Sequence, residues 1–195
     1  MPFRHQATIG EYATSSAASD RADGAAPSPA LTTPVGVRQD VRGNVWVADS
    51  ANSRVVVFDA SLDRRLAVVG ARGSEPGSFD LPFRVAHHPV DRAILVTDIG
   101  NGRVQRLAYE YSGGVPAITD VEAFSPDDGE RFHPNGIATH EYDDGVRIFV
   151  ADEFYHEGAD LRGRIAVFDD TGALVDSIRS VDSAYAGALP LYWPQ

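Results

Sequence analysis

The sequence predicts an all-β fold of β-propeller blades, each with four antiparallel strands, and three observations predict it. The chain repeats itself: Asp49 to Asp98, Asn52 to Asn101 and Arg54 to Arg103 are each 49 residues apart, and Pro34 to Pro82 is 48. A fixed period of roughly 40 to 50 residues marks solenoids and propellers. Each repeat holds short runs rich in Val, Ile, Phe and Trp, separated by Gly, Asn and Asp, the pattern of antiparallel strands joined by tight turns. No segment of useful length shows helical periodicity, and four strands per unit at this period is a propeller blade.

The elements follow in order. Residues 1–30 read as the closing strand of a preceding blade, at Ala7-Thr8-Ile9-Gly10, followed by a flexible loop rich in Ser, Ala, Asp, Gly and Pro. Residues 31–80 form the first blade, with strands expected at Pro34-Val35-Gly36-Val37, Val45-Trp46-Val47-Ala48-Asp49, Arg54-Val55-Val56-Val57-Phe58 and Arg65-Leu66-Ala67-Val68-Val69. Residues 81–131 form the second, through Pro82-Phe83-Arg84-Val85, Ala93 to Asp98, Arg103 to Leu107 and Ile118 to Phe124. Residues 132–181 form the third, through Pro134 to Ala138, Val146 to Asp152, Gly163 to Asp169 and Ala173 to Ile178. In residues 182–195, Leu191-Tyr192-Trp193-Pro194 repeats the blade opening Leu31-Thr32-Thr33-Pro34, so a further blade is expected to start there. Three blades form only part of a ring and leave sheet faces and edges to be covered. Either the chain is a fragment, or two chains pair as a homodimer, or another polypeptide supplies the missing blades.

Charge excludes some partners. Acidic residues number 28 against 17 basic ones, for a net charge of -11, and every basic residue is arginine. Such a surface repels phosphate backbones and anionic membranes, so neither nucleic acid nor a membrane is expected as a partner. The lysine-free, aspartate-rich composition resembles that of salt-adapted archaeal proteins. With no cysteine, disulfides and thiolate metal sites are excluded. The N-terminus is polar and has no apolar signal core, which makes the cytoplasm the default expectation.

The strings Pro34-Val35-Gly36-Val37, Val45-Trp46-Val47-Ala48-Asp49-Ser50, Asn52-Ser53-Arg54-Val55-Val56-Val57-Phe58-Asp59 and Gly70…Gly73…Gly77-Ser78-Phe79…Pro82 resemble the NHL repeat. In the second repeat Phe83-Arg84 replaces the usual pair ending in Gly, and in the third an insertion from Glu153 to Arg162 enlarges a turn. The resemblance implies a six-bladed parent fold and a role in binding a protein or a small ligand.

Three groups of residues are candidates for function. Asp49 with Arg54, Asp98 with Arg103 and Asp152 with Arg164 form the most regular polar set. Their expected role is structural, with each Asp taking N–H bonds from the following turn and pairing with the Arg; Asn52 and Asn101 are expected as left-handed turn residues. The residue after the blade-opening proline sits near one mouth of the central channel; it is Val35, Phe83, Asn135 and Gln195 in turn. The string Pro134-Asn135-Gly136-Ile137 resembles gluconolactonase-like propellers, which implies a divalent metal such as calcium on Asn135, with acidic ligands from other blades. Val35 and Phe83 offer no hard donor. The loop carrying Asp152, Glu153, Tyr155 and His156 combines carboxylates, an aromatic and an imidazole, and is the candidate binding loop. His87 and His88 are expected at exposed positions near a turn, pointing to opposite faces.

No Gly-x-Ser-x-Gly elbow, phosphate loop or dinucleotide glycine motif occurs, so hydrolase, NTPase and dehydrogenase chemistry has no motif to rest on. The leading expectation is a non-catalytic binding or scaffold module. The alternative is a piece of a metal-dependent propeller enzyme of lactonase or lyase type. RNA recognition, known for some NHL proteins, is opposed by the net charge.

Overall fold

In the computed structural model, residues 30–153 and 163–179 are described. They form three four-stranded antiparallel sheets, each with its strands in sequence order. Blade 1 comprises β1 (Pro34–Gln39), β2 (Val45–Asp49), β3 (Arg54–Phe58) and β4 (Arg65–Val69). Blade 2 comprises β5 (Pro82–His87), β6 (Ala93–Asp98), β7 (Arg103–Ser112) and β8 (Val115–Phe124). Blade 3 comprises β9 (Pro134–Tyr142), β10 (Gly145–Glu153), β11 (Gly163–Asp169) and β12 (Leu174–Arg179). Thus each sheet is one propeller blade.

The central strands are buried on both faces, which explains their near-continuous apolar runs: every residue of β2, β3 and β6 is buried. Their β-branched side chains suit a pleated surface packed from both sides. Alternation then sorts the side chains between neighbours. Trp46, Ala48, Val55 and Val57 of blade 1 pack with Val85, Ile94, Val96, Leu107 and Tyr109 of blade 2. The other face of blade 2, with Ala86, Leu95 and Val104, packs with Ile148, Val150, Ala166 and Phe168 of blade 3.

The sequence ends the third strand of the second repeat at Leu107, but β7 and β8 each run ten residues. They meet at Gly113 and Gly114, whose φ angles of 58° and 86° suit the tight hairpin turn that requires two left-handed residues. The left-handed residue after the second strand is Ser53 (φ 51°) or Gly102 (φ 61°), not Asn52 or Asn101. Those asparagines close short 3-10 turns and turn their side chains inward.

The first strands of the three blades lie side by side and point the same way. Arg84 of β5 donates to the Val35 carbonyl of β1. Thr139 Oγ1 of β9 donates to the His87 carbonyl of β5 at 2.9 Å. The β1–β5 approach is close because position 36 has no side chain: a Cβ there would lie 2.5 Å from the Phe83 carbonyl oxygen. Replacing Gly36 by Ala must push β1 from β5, and such overpacking costs about 1–3 kcal/mol. Urea unfolding followed by Trp fluorescence should show that loss.

Candidate functional site

The repeated Asp–Arg pairs are buried clasps. Asp49 is fully buried, accepting from Arg54 Nε at 2.8 Å, Asn52 Nδ2 at 2.9 Å and the Thr32 backbone N–H at 2.5 Å. Asp98 accepts from Arg103 Nε at 2.9 Å, Asn101 Nδ2 at 2.8 Å, Gln105 Nε2 at 3.1 Å and the Asp80 N–H at 2.7 Å. Asp152 accepts from Arg164 Nε at 2.8 Å and the His133 N–H at 2.7 Å. The backbone donors differ from the expected ones. They belong to the segment leading into each blade-opening proline, not to the turn after the aspartate, so each clasp ties the incoming chain to the second and third strands. In blade 3, Asp128 and Glu130 also contact Arg164. Burial works to lower the Arg164 guanidinium pKa, and the hydrogen bonds to Asp128 and Asp152 outweigh it and raise it. Burial also pushes the Asp152 carboxyl upward, against its bonds from His133 and Arg164. Asp152 therefore belongs to the frame and not to an accessible binding loop.

Because β1, β5 and β9 are aligned, their first residues share one end of the inner surface. There the structure brings together two of the candidates: Asn135 Nδ2 donates to Glu153 Oε2 at 3.1 Å. Both residues are partly exposed. Glu153 is held in place because its backbone N–H donates to the His133 carbonyl at 3.0 Å, while the His133 N–H holds Asp152. The residues at the Glu153 position in the other blades are Ser50 and Ile99, and those at the Asn135 position are Val35 and Phe83. The polar pair is therefore specific to blade 3. The sequence offered one signal for it, the carboxylate that follows the clasp aspartate only in that repeat. Tyr155 and His156 lie outside the described residues.

The two histidines differ from their expected exposure. His88 is fully buried; its Nδ1 accepts the Asp91 N–H at 3.0 Å and its Nε2 lies 2.7 Å from Asp170 of blade 3. Among the described residues His88, Asp91 and Asp170 are the one His/Asp/Glu group with the spacing of metal ligands. Both imidazole nitrogens are already engaged, and Arg106 Nη2 holds Asp91 at 2.5 Å, so the group reads as a clasp between blades 2 and 3. His87 is only partly buried.

Fold and site together define a set of propeller blades with a polar pair at the start of the first strand of blade 3. The family described as the NHL repeat matches residues 31–58, which span β1 to β3, and the NHL-type reading of the first repeat stands on that match. No curated protein matches the chain. Among solved structures, it is similar to a protein of unknown function from Bacteroides caccae, with 16% identity, a TM-score of 0.49 and coverage of 77% of this chain and 50% of that one. It is also similar to virginiamycin B lyase from Staphylococcus aureus, with 12% identity, a TM-score of 0.44 and coverage of 78% and 56%. A third is the hydrazine synthase of Kuenenia stuttgartiensis, with 11% identity, a TM-score of 0.42 and coverage of 76% and 49%. The chain thus spans about half the length of these structures. Likenesses of this strength carry nothing about its chemistry.

Proposed function

We propose that the chain is a non-catalytic binding and scaffold module, in which blade 3 has a sheet face that no other described residue covers and that suits a further blade, the first choice being that of a second copy. The face of blade 3 turned away from blade 2 supports this reading. It forms an open groove of about 460 Å³ lined by Phe149, Val167, Val175 and Ile178, with Tyr142, Asp144, Arg147 and Asp176 around it. Val175 is 49% exposed, Ile178 44% and Tyr142 48%. The corresponding faces of blades 1 and 2 are covered by the next blade, so the fold's own repetition indicates a sheet of the same kind as the occupant. The test is the mass of the chain in solution, compared with that of a variant carrying a charge on this face.

Asn135 and Glu153 favour a second reading, that of a metal-dependent propeller enzyme. An amide oxygen and a carboxylate are hard donors suited to calcium, which takes six to eight oxygens at about 2.3–2.6 Å. The pair supplies only part of such a shell, and the remainder would come from water or from residues beyond those described. On this reading millimolar calcium raises the melting temperature of the chain and does not raise that of Asn135→Ala, because an ion bound only to the folded state stabilises it. An equal response of the two proteins would leave the mouth to a ligand other than a metal.

As to location, among the described residues no helix is long and apolar enough to cross a membrane.

A further inference from the structure

Among the described residues two sheet faces are outermost, and they are not alike. On blade 1, alternation along β2 and β3 turns Trp46, Ala48, Val55 and Val57 toward blade 2 and Val45, Val47, Val56 and Phe58 the other way. Those last four are buried, with Leu31 and Leu62 packed against them, and none of the six carries a charge. Val37, directly opposite Val47 in the β1–β2 register, lies on the same side and is 66% exposed.

The outer face of blade 3 differs in both respects. Tyr142, Val175 and Ile178 are exposed there, and the face mixes charges of both signs. Arg147 Nη2 is held by Asp144 at 2.8 Å. Asp176 lines the same groove, is exposed, and forms no ion pair among the described residues. Two copies closing a ring would each lay blade 3 on the outer face of the other's blade 1. That face is already packed at its centre, and its uncharged side chains would bury Asp176 without a cation to meet it, which is costly. Blade 3 offers a better match to itself. It presents exposed apolar side chains to cover apolar ones, and a two-fold rotation can bring Asp176 of one copy towards Arg147 of the other.

Resting on the reading of this face as the site of a second copy, we propose that the copy engages it with the same face: blade 3 meets blade 3 across a two-fold axis, and the blades of the two chains do not close into a ring. A contact of this kind is used up by two chains, so assembly stops at the dimer. A contact between unlike faces instead closes a ring or continues into longer assemblies.

The test measures mass against concentration by light scattering, in one high-salt buffer, for the full chain and for two variants, Val37→Asp and Ile178→Asp. Each variant places one new negative charge at an exposed apolar position, one on the outer side of each end blade, so general repulsion between copies rises equally in both. The expected result is a wild-type mass that levels at two chains, a dissociation constant in Val37→Asp within about twofold of the wild-type value, and one in Ile178→Asp raised about tenfold or more. Unaltered Trp46 fluorescence shows that the variants are folded; Val175→Asp, on the same face as Ile178, takes the place of Ile178→Asp if that fluorescence changes. A wild-type chain that stays monomeric throughout would remove the reading of the face itself, and this inference with it. Association that persists but is weakened as much by Val37→Asp as by Ile178→Asp, or a mass that climbs beyond two chains, would leave that reading standing and overturn the contact of like faces.

Discussion

Replacing Asp49 by Ala should lower the stability of the chain by about 3–5 kcal/mol, the usual cost of removing one partner of a buried ion pair. The side chains of Asp49 and Arg54 are 0% and 2% exposed, so water cannot take over the role of the lost carboxylate. Three donors lose their acceptor together: Arg54 Nε, Asn52 Nδ2 and the Thr32 N–H. The guanidinium is the most expensive of them, because it loses its buried carboxylate even though Nη2 keeps the Ala30 carbonyl at 2.9 Å. The double replacement Asp49→Ala with Arg54→Leu should recover much of the loss, since a buried pair exchanged for apolar groups is often close to neutral. Urea denaturation read by Trp fluorescence gives both numbers, and Trp46, fully buried between blades 1 and 2, reports the relevant unfolding. A single-mutant loss below about 1 kcal/mol would place the pair among solvated surface bridges instead.

Much of the architecture was legible because its determinants are local. Alternating side chains, β-branched runs and the spacing of Asp49 and Asp98 all act within one repeat, so a self-comparison of the sequence finds them. What joins the repeats was not legible. The partner of His88 is Asp170, 82 positions away, and its burial depends on how blade 3 sits on blade 2. The sequence placed that histidine in solvent because the turn around it, His88-Pro89-Val90-Asp91, looks like any exposed hairpin. The backbone donors to the clasp aspartates were misplaced for the same reason: Thr32, Asp80 and His133 reach them only after the chain enters the blade. At the candidate site, Asn135 was visible from the string around it. Its contact with Glu153, 18 positions away, required the register of β9 against β10.

Ile178→Asp should weaken association of the chain with other blades, with a loss in apparent affinity of about tenfold or more. A carboxylate buried in a sheet-to-sheet contact without a partner costs several kcal/mol, and each 1.4 kcal/mol is about tenfold. Ile178 is 44% exposed, so the same change costs the isolated chain far less, and Trp46 fluorescence should be unaltered. That separation of effects distinguishes an interface residue from a core residue. Salt supplies a second signature. Copies carrying a net charge of -11 repel each other, and multimolar salt both screens that repulsion and strengthens apolar burial when the anion is sulfate. Association should therefore strengthen with salt, the opposite of the response of a contact built on ion pairs.

The most direct test of the central claim, that these blades present to another blade a face that no other described residue covers, is the mass of the unmodified chain by light scattering across concentration, at low and at multimolar salt. The account predicts a folded species whose mass rises from one chain towards two with concentration, and at lower concentration in high salt. A folded chain that stays monomeric under all these conditions would contradict it.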